Sequence, residues 1–416
     1  MTSLQAALAR YQPGHALPQA FHTDPDIYAR EIELIWRRSW LFAGFSIQAR
    51  TPGSFFRFDL GDDSLVIARG EQGVLHALHN TCRHRGMPVC GAENGCAKRW
   101  VCPYHQWSYA LDGTLLGAGG MEGEINLDGH DLLRAPVVEV GGLVYVWSGL
   151  GEPEPFEATL ATLASALEPQ GLERARIAHR IDYSVAANWK LIYENNRECW
   201  HCHAGHPQYV KANFDAVPDT ARNRELAAAR AGSHAEALSG VAGQRAGNPG
   251  DTPDEHNQPG LYEFPTAGRW WSANRTPLAP GFVTESLDGR PVAPLMGGYR
   301  EYDVGTLRVR TVPNMWIHAS ADHAVVTRLL PDGPGATRVS VWWLVDQDAV
   351  EGRDYELERL LPFWQQTSEQ DWDLCERNHA GVRSPAYTPG PYSPSREYNV
   401  LAFVRWYLGR LSGDAA

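Results

Sequence analysis

The chain has 416 residues, 43% of them hydrophobic, enough for a globular protein of two or three domains with a large core. Its formal net charge of −12 argues against a nucleic-acid partner. No apolar run approaches the ~18–20 residues of a membrane span, and no basic-then-apolar signal pattern opens the chain, so no membrane association and a cytoplasmic location are expected.

Taken in chain order, residues 24–38 read as a helix, with Asp24 as N-cap, Pro25 at the first position and Tyr28, Ile32, Ile35 and Trp36 as its apolar stripe. From residue 53 short strands follow, separated by Gly-Asp-Asp and Gly-Glu-Gln-Gly. Next come two loops, Cys82-Arg-His84 and, after seventeen residues, Cys102-Pro-Tyr-His105. A zinc finger would group thiolates in one knuckle and imidazoles in the other. One Cys and one His per loop is the arrangement of a Rieske [2Fe–2S] centre, in which both cysteines hold one iron and both histidines the other. Gly86, Pro88 and Pro103 fit tight loops whose amides approach the sulfurs. Tyr104 stands where a second thiol would be needed to brace the loops, so no disulfide between them is expected. The other five cysteines, Cys90, Cys96, Cys199, Cys202 and Cys375, are expected as reduced thiols.

Leu143–Trp147 reads as the closing strand of this small β domain, and Gly151-Glu-Pro-Glu-Pro as a linker. The segment from Asn188 to Pro207 then packs Glu194, Glu198, His201, His203 and His206 into twenty residues. A non-haem Fe(II) oxygenase needs two imidazoles and one carboxylate on one face of the iron, with the other face open. Helical geometry alone does not decide which two histidines serve: Glu198 and His201 share a face, His203 points away, and His206 works only if the helix widens or ends. Gly205 and Pro207 favour an ending. Residues 219–260 are rich in Ala, Gly, Arg and Asn and read as a short helix (222–230) and a surface loop, either a tolerated insertion or a lid. Alternating runs over 306–346 predict an antiparallel sheet, and 352–380 one helix or two with Pro362 in the first turn or at a kink. The predicted fold is α+β: a small antiparallel β Rieske domain (40–150), and a larger catalytic domain with an antiparallel sheet and covering helices (151–416, to which 1–39 contribute a helical part).

The chain resembles the catalytic α subunit of Rieske non-haem iron oxygenases over nearly its whole length. That family's motif of an acid, two residues, His, four residues and His fits Glu198, His201 and His206 and passes over His203. Glu at the first position, within Glu-Asn-Asn-Arg-Glu-Cys-Trp-His-Cys, is similar to the branch that oxidises quaternary ammonium compounds: glycine betaine, proline betaine and carnitine. Gln370-Asp371-Trp-Asp-Leu-Cys-Glu and Tyr387-Thr-Pro-Gly-Pro-Tyr-Ser match the same branch, whereas Trp200 replaces its usual Tyr and His379 its frequent Gln.

The resemblance implies Asp371 as third iron ligand, with Glu369, Asp373 and Glu376 as rivals that the residues alone leave open. It implies a head-to-tail homotrimer in which one subunit's cluster serves the next subunit's iron, with Glu198 bridging a cluster histidine to His201. Electrons would come from NAD(P)H through a separate flavin or ferredoxin reductase. The implied reaction uses O₂ to hydroxylate an N-methyl carbon, the hemiaminal collapsing to formaldehyde and the demethylated amine. A trimethylammonium group is held by aromatic faces, and Trp270 and Trp271 are the candidates, with Phe214, Tyr262 and Phe264 behind them. The alternatives are an aromatic-ring-hydroxylating dioxygenase and, against the length and the second motif, a Rieske electron carrier.

Overall fold

The computed structural model describes residues 2–121, 123–124, 126–214, 220–241 and 271–413. They form two compact units, Arg37–Pro155 and the pair of segments Met1–Trp36 and Phe156–Ala416. No helix among the described residues is long and apolar enough to cross a membrane.

The first unit is built of small antiparallel sheets. Ser54–Leu60, Asp63–Arg69 and Leu75–His79 form the centre of a five-stranded sheet, flanked by Asn94–Cys96 and Arg134–Ala135. Trp100–Val101, Ser108–Tyr109 and Leu115–Gly117 form a second, and Leu143–Val146 lies between Leu41–Phe45 and Val137–Val140 in a third. The alternation in Ser-Phe-Phe-Arg-Phe-Asp-Leu sends Phe56, Phe58 and Leu60 to one buried face, while Phe55 on the opposite face is buried in the core around the cluster cysteines. A core of Phe55, Val66, Leu78, Trp100, Trp107, Tyr109 and Leu132 closes around Cys82 and Cys102.

In the second unit Ala175–Val185, Thr337–Asp346, Ala324–Pro331, Met315–Ala319, Thr306–Thr311 and Trp271–Thr276 stand side by side, all antiparallel, in that order. Helices Trp189–Asn195 and Pro362–Val382 cover one face: Tyr193 meets Trp316 edge-on and Trp364 stacks on His318 at 4.2 Å. Pro362 occupies the first turn of its helix, where its missing N–H costs nothing.

Three local expectations change. The first helix runs Pro25–Leu34, capped by Asp24 as predicted, but its inward face carries Ile27 and Glu31 in place of Tyr28 and Ile32. Glu31 is fully buried because Lys190 Nζ (2.6 Å), Trp189 Nε1 (2.7 Å) and Tyr407 Oη (2.5 Å) all donate to it. The helix read over 222–230 extends over Ala221–Ala237, capped by Thr220, and is pinned by Arg230 and His234 to Asp303. Residues 219 and 242–260 of the anticipated lid lie outside the described residues. Finally, Cys199 and Cys202 are a disulfide: a turn after Asn195 brings their Cα atoms to 5.0 Å, within bonding reach. Cys82, Cys90, Cys96, Cys102 and Cys375 are free, so no bridge joins the two cluster loops.

Candidate metal centres

The two loops of the first unit have one design. The carbonyl of Cys82 accepts from Gly86 N (3.0 Å) and its N–H donates to Met87 O (2.9 Å); the carbonyl of Cys102 accepts from Gln106 N (3.0 Å) and its N–H donates to Trp107 O (2.8 Å). The fifth residue of each turn adopts a left-handed backbone, Gly86 at φ 79° and Gln106 at φ 62°. Glycine meets that demand freely and glutamine at a cost. The second loop also needs Gly119 beside it, since a Cβ there would lie 2.1 Å from His105 O. These turns set the His84 and His105 rings 4.5 Å apart and put the two thiols side by side in the core, with Tyr109 Oη 3.3 Å from Cys82 Sγ. His84 stacks on Trp107, and its Nδ1 is buried with no hydrogen-bond partner, a nitrogen oriented for a metal. Two buried thiols and two adjacent imidazoles fit a Rieske cluster, and hydrogen bonds to its sulfurs tune its potential.

In the second unit the ligand segment is a turn between short helices, Trp189–Asn195 before it and Cys202–Gly205 and Pro207–Ala212 after it. Glu198 therefore does not share a helix face with His201. It folds back over its own loop, accepting from the N–H groups of Trp200 and His201 and, at 2.5 Å, from His201 Nδ1. That fixes the His201 ring with Nε2 inward, 3.2 Å from Asp371 Oδ1. His206 is held the same way: Gln370 Oε1 lies 2.8 Å from its Nδ1, leaving Nε2 3.0 Å from the same Asp371 oxygen. Two imidazole nitrogens and one carboxylate oxygen thus converge, each ring oriented from behind. Cys202 Sγ lies within 4.8 Å of both histidines, but its disulfide leaves no thiolate to bind.

The electrostatics suit a cation. Burial opposes the His201 imidazolium, yet the hydrogen bonds it donates to Asp371 and Glu198 outweigh it and lift its pKa to about 10. Asp371, despite burial, is held below the usual carboxylate range by the two histidines. A divalent metal would take the place of those protons. The rival acids are occupied elsewhere: Glu369 is exposed and bonded to Gln365, Asp373 pairs with Arg377, and Glu376 accepts from Ala186 N. His203 is exposed. His379 is buried about 12 Å further along the helix from Asp371.

Of the aromatic candidates, Trp271 does not join this site. Trp270, Tyr262 and Phe264 lie outside the described residues. Trp271 pairs with Thr311, whereas Ser272 pairs with Arg310 and Arg310 with Trp316. Side chains alternate along a strand, so Trp271 occupies the sheet face opposite Arg310 and Trp316. Rings on or over the helix-covered face include Trp316, His318, Tyr193, Tyr209 and Trp364. Phe214 is buried at the end of the ligand segment.

A Rieske-type cluster site and a two-His, one-carboxylate site in one chain define a Rieske non-haem iron oxygenase. The chain belongs to the family of ring-hydroxylating α subunits: the Rieske [2Fe–2S] domain model matches residues 39–124, and the ring-hydroxylating α subunit catalytic-domain model matches 172–413. Its cofactors are a Rieske [2Fe–2S] cluster and a mononuclear iron. It is 38% identical to the glycine betaine monooxygenase oxygenase subunit of Chromohalobacter salexigens, over 98% of this chain and 89% of that protein. The fold is similar to that of the quaternary ammonium Rieske monooxygenase CntA (TM-score 0.70, 19% identity, 94% and 95% of the chains). It is also similar to naphthalene 1,2-dioxygenase from Rhodococcus sp. (TM-score 0.67, 19% identity, 100% and 98%).

Proposed function

We propose that this chain is the oxygenase component of a system that removes an N-methyl group from a quaternary ammonium compound of the glycine betaine type. The observation carrying this reading is the near full-length relation to a glycine betaine monooxygenase oxygenase subunit. Fold likeness alone leaves the ring-hydroxylating alternative standing, since an N-methyl oxidiser and an aromatic dioxygenase share the architecture. In the balanced reaction O₂, two electrons and two protons turn N–CH₃ into N–CH₂OH and water; the cationic hemiaminal then releases formaldehyde, a proton and the tertiary amine.

His201, His206 and Asp371 would hold the iron, which when bound supplies the open positions for O₂ activation. Cys82, Cys102, His84 and His105 would hold the cluster. Glu198 orients His201 and, as a carboxylate with a second oxygen, can accept an N–H from a histidine of a neighbouring subunit's cluster. Exposed apolar groups flank both ends of that path: Trp200, 65% exposed, beside Glu198, and Tyr104, 55% exposed, beside His105. They favour a head-to-tail homotrimer in which such surfaces are covered. A separate NAD(P)H-dependent reductase completes the system.

The test is formaldehyde release from a panel of quaternary amines, with NADH and a surrogate reductase, beside a panel of aromatic acids assayed for dihydrodiols. Formaldehyde from a betaine is the expected result; dihydrodiol from an aromatic acid with no formaldehyde favours the alternative.

A further inference from the structure

Arg310 stands in the strand Thr306–Thr311, 92% buried, on the sheet face covered by the ligand-bearing helices. The residue as a whole keeps only 8% of its surface exposed. Two neutral amides accept from it: Asn196 Oδ1 from Nε at 3.1 Å and Asn274 Oδ1 from Nη1 at 3.4 Å. Nη2 donates to no described residue, and no described carboxylate lies within ion-pair distance of the group. Its neighbour Arg308 differs, having Glu285 at 3.9 Å together with Tyr209 Oη at 2.6 Å and Asn213 Oδ1 at 3.1 Å. The other charges facing Arg310 are alike in sign. Burial first, then Arg197 and Arg308, drive its pKa down to about 9.

An ion taken from water without a counter-ion costs several kcal/mol, and such a cost persists where a ligand offsets it. The position names the ligand. Asn196, which anchors Arg310, follows Asn195, whose Nδ2 lies 3.3 Å from His201 Nε2, and precedes Glu198 by two residues. Trp316 is the direct cross-strand partner of Arg310 on the same face, and Tyr193 meets its ring edge-on. An aromatic ring and an unmatched guanidinium therefore stand side by side on the sheet face covered by the helix that leads into the candidate iron ligands. A betaine carries a carboxylate and a trimethylammonium group on one short backbone.

We infer that Arg310 binds the carboxylate of a betaine substrate, with Trp316 beside it facing the quaternary ammonium, and so selects carboxylate-bearing amines. This rests on the N-demethylation reading above. It predicts that choline-like amines, which lack the carboxylate, are poor substrates.

The test uses the holoenzyme under anaerobic conditions, with glycine betaine and its methyl ester as probes and calorimetry as the readout. Wild type should prefer the carboxylate over the ester by roughly a hundredfold, as expected for a buried charge pair. Arg310→Gln should abolish that preference by weakening the acid, and Arg310→Lys, which keeps the charge and guards against a folding defect, should restore part of it. In turnover the loss should appear in KM for glycine betaine more than in kcat. A preference absent from wild type, or equal in wild type and Arg310→Gln, overturns the assignment. Formaldehyde from wild type alongside that result removes Arg310 alone. No formaldehyde from any quaternary amine removes the N-demethylation reading and this inference with it.

Discussion

At the scale of single residues, one carboxylate oxygen decides the mononuclear site. Asp371 is the acid that both His201 and His206 face, so Asp371→Ala should lose the mononuclear iron while the cluster's visible absorption remains; Asp373→Ala and His203→Ala should keep both. Iron analysis per chain separates these outcomes, about three irons falling to about two. The same geometry sets a pH dependence. Hydrogen bonds raise the folded pKa of His201 to about 10, so its proton is retained at neutral pH and leaves only as pH rises towards 10. Metal must displace that proton. Apparent Fe(II) affinity of the iron-free site should therefore rise at least tenfold per pH unit between pH 6 and 9, with proton release on binding, since the His206 pKa is raised as well. A flat profile would mean that the proton is not on a ligand. The motif of Glu198, His201 and His206 was legible because its residues are local. Asp371 came through the resemblance to a known family, since a carboxylate on a polar helix otherwise reads as a solvated face. Arg310 escaped notice for a related reason: Leu-Arg-Val-Arg looks like a strand with its arginines in water, and only the covering helices bury them.

At the scale of elements, the segment that carries the ligands is tied to the N-terminal helix through charge. Glu31 and Lys190 are both fully buried at 2.6 Å, with Trp189 and Tyr407 completing the carboxylate's bonds. Removing one partner strands the other, so Glu31→Ala should destabilise the chain by about 3–5 kcal/mol. Glu31→Leu with Lys190→Met should recover more than half of that, as measured by denaturant midpoints. A loss under about 1 kcal/mol in Glu31→Ala would show the pair to be dispensable. Helix and strand periods located most elements here, including the Asp24 cap and the turn at Pro362. They failed where polar side chains go inward. Glu31 lies on a face that the pattern gave to Tyr28 and Ile32, and Trp271 on the sheet face away from the ligands. Burial of a charge depends on partners distant in sequence, which periodicity does not encode. The Cys199–Cys202 bridge depends likewise on a turn that a continuous-helix reading of the segment hides.

At the scale of the whole molecule, the proposed head-to-tail trimer passes electrons between chains. Glu198→Gln should keep both metals yet slow cluster reoxidation by substrate and O₂ at least tenfold, because the bridge loses the charge that holds two imidazole N–H groups. A Glu198→Gln chain co-assembled with a Cys102→Ala chain should regain activity, since some interfaces pair an intact cluster with an intact Glu198. Confirmed mixed assemblies without activity would place the transfer within one chain. The most direct measurement of the proposed N-demethylation is the stoichiometry of one turnover mixture: glycine betaine with ¹³C-labelled methyl groups, NADH, a reductase and a known amount of O₂. Labelled formaldehyde and dimethylglycine are expected in equal amounts, one of each per O₂ and per NADH consumed. Oxygen and NADH consumed with the label still wholly in betaine would contradict N-demethylation.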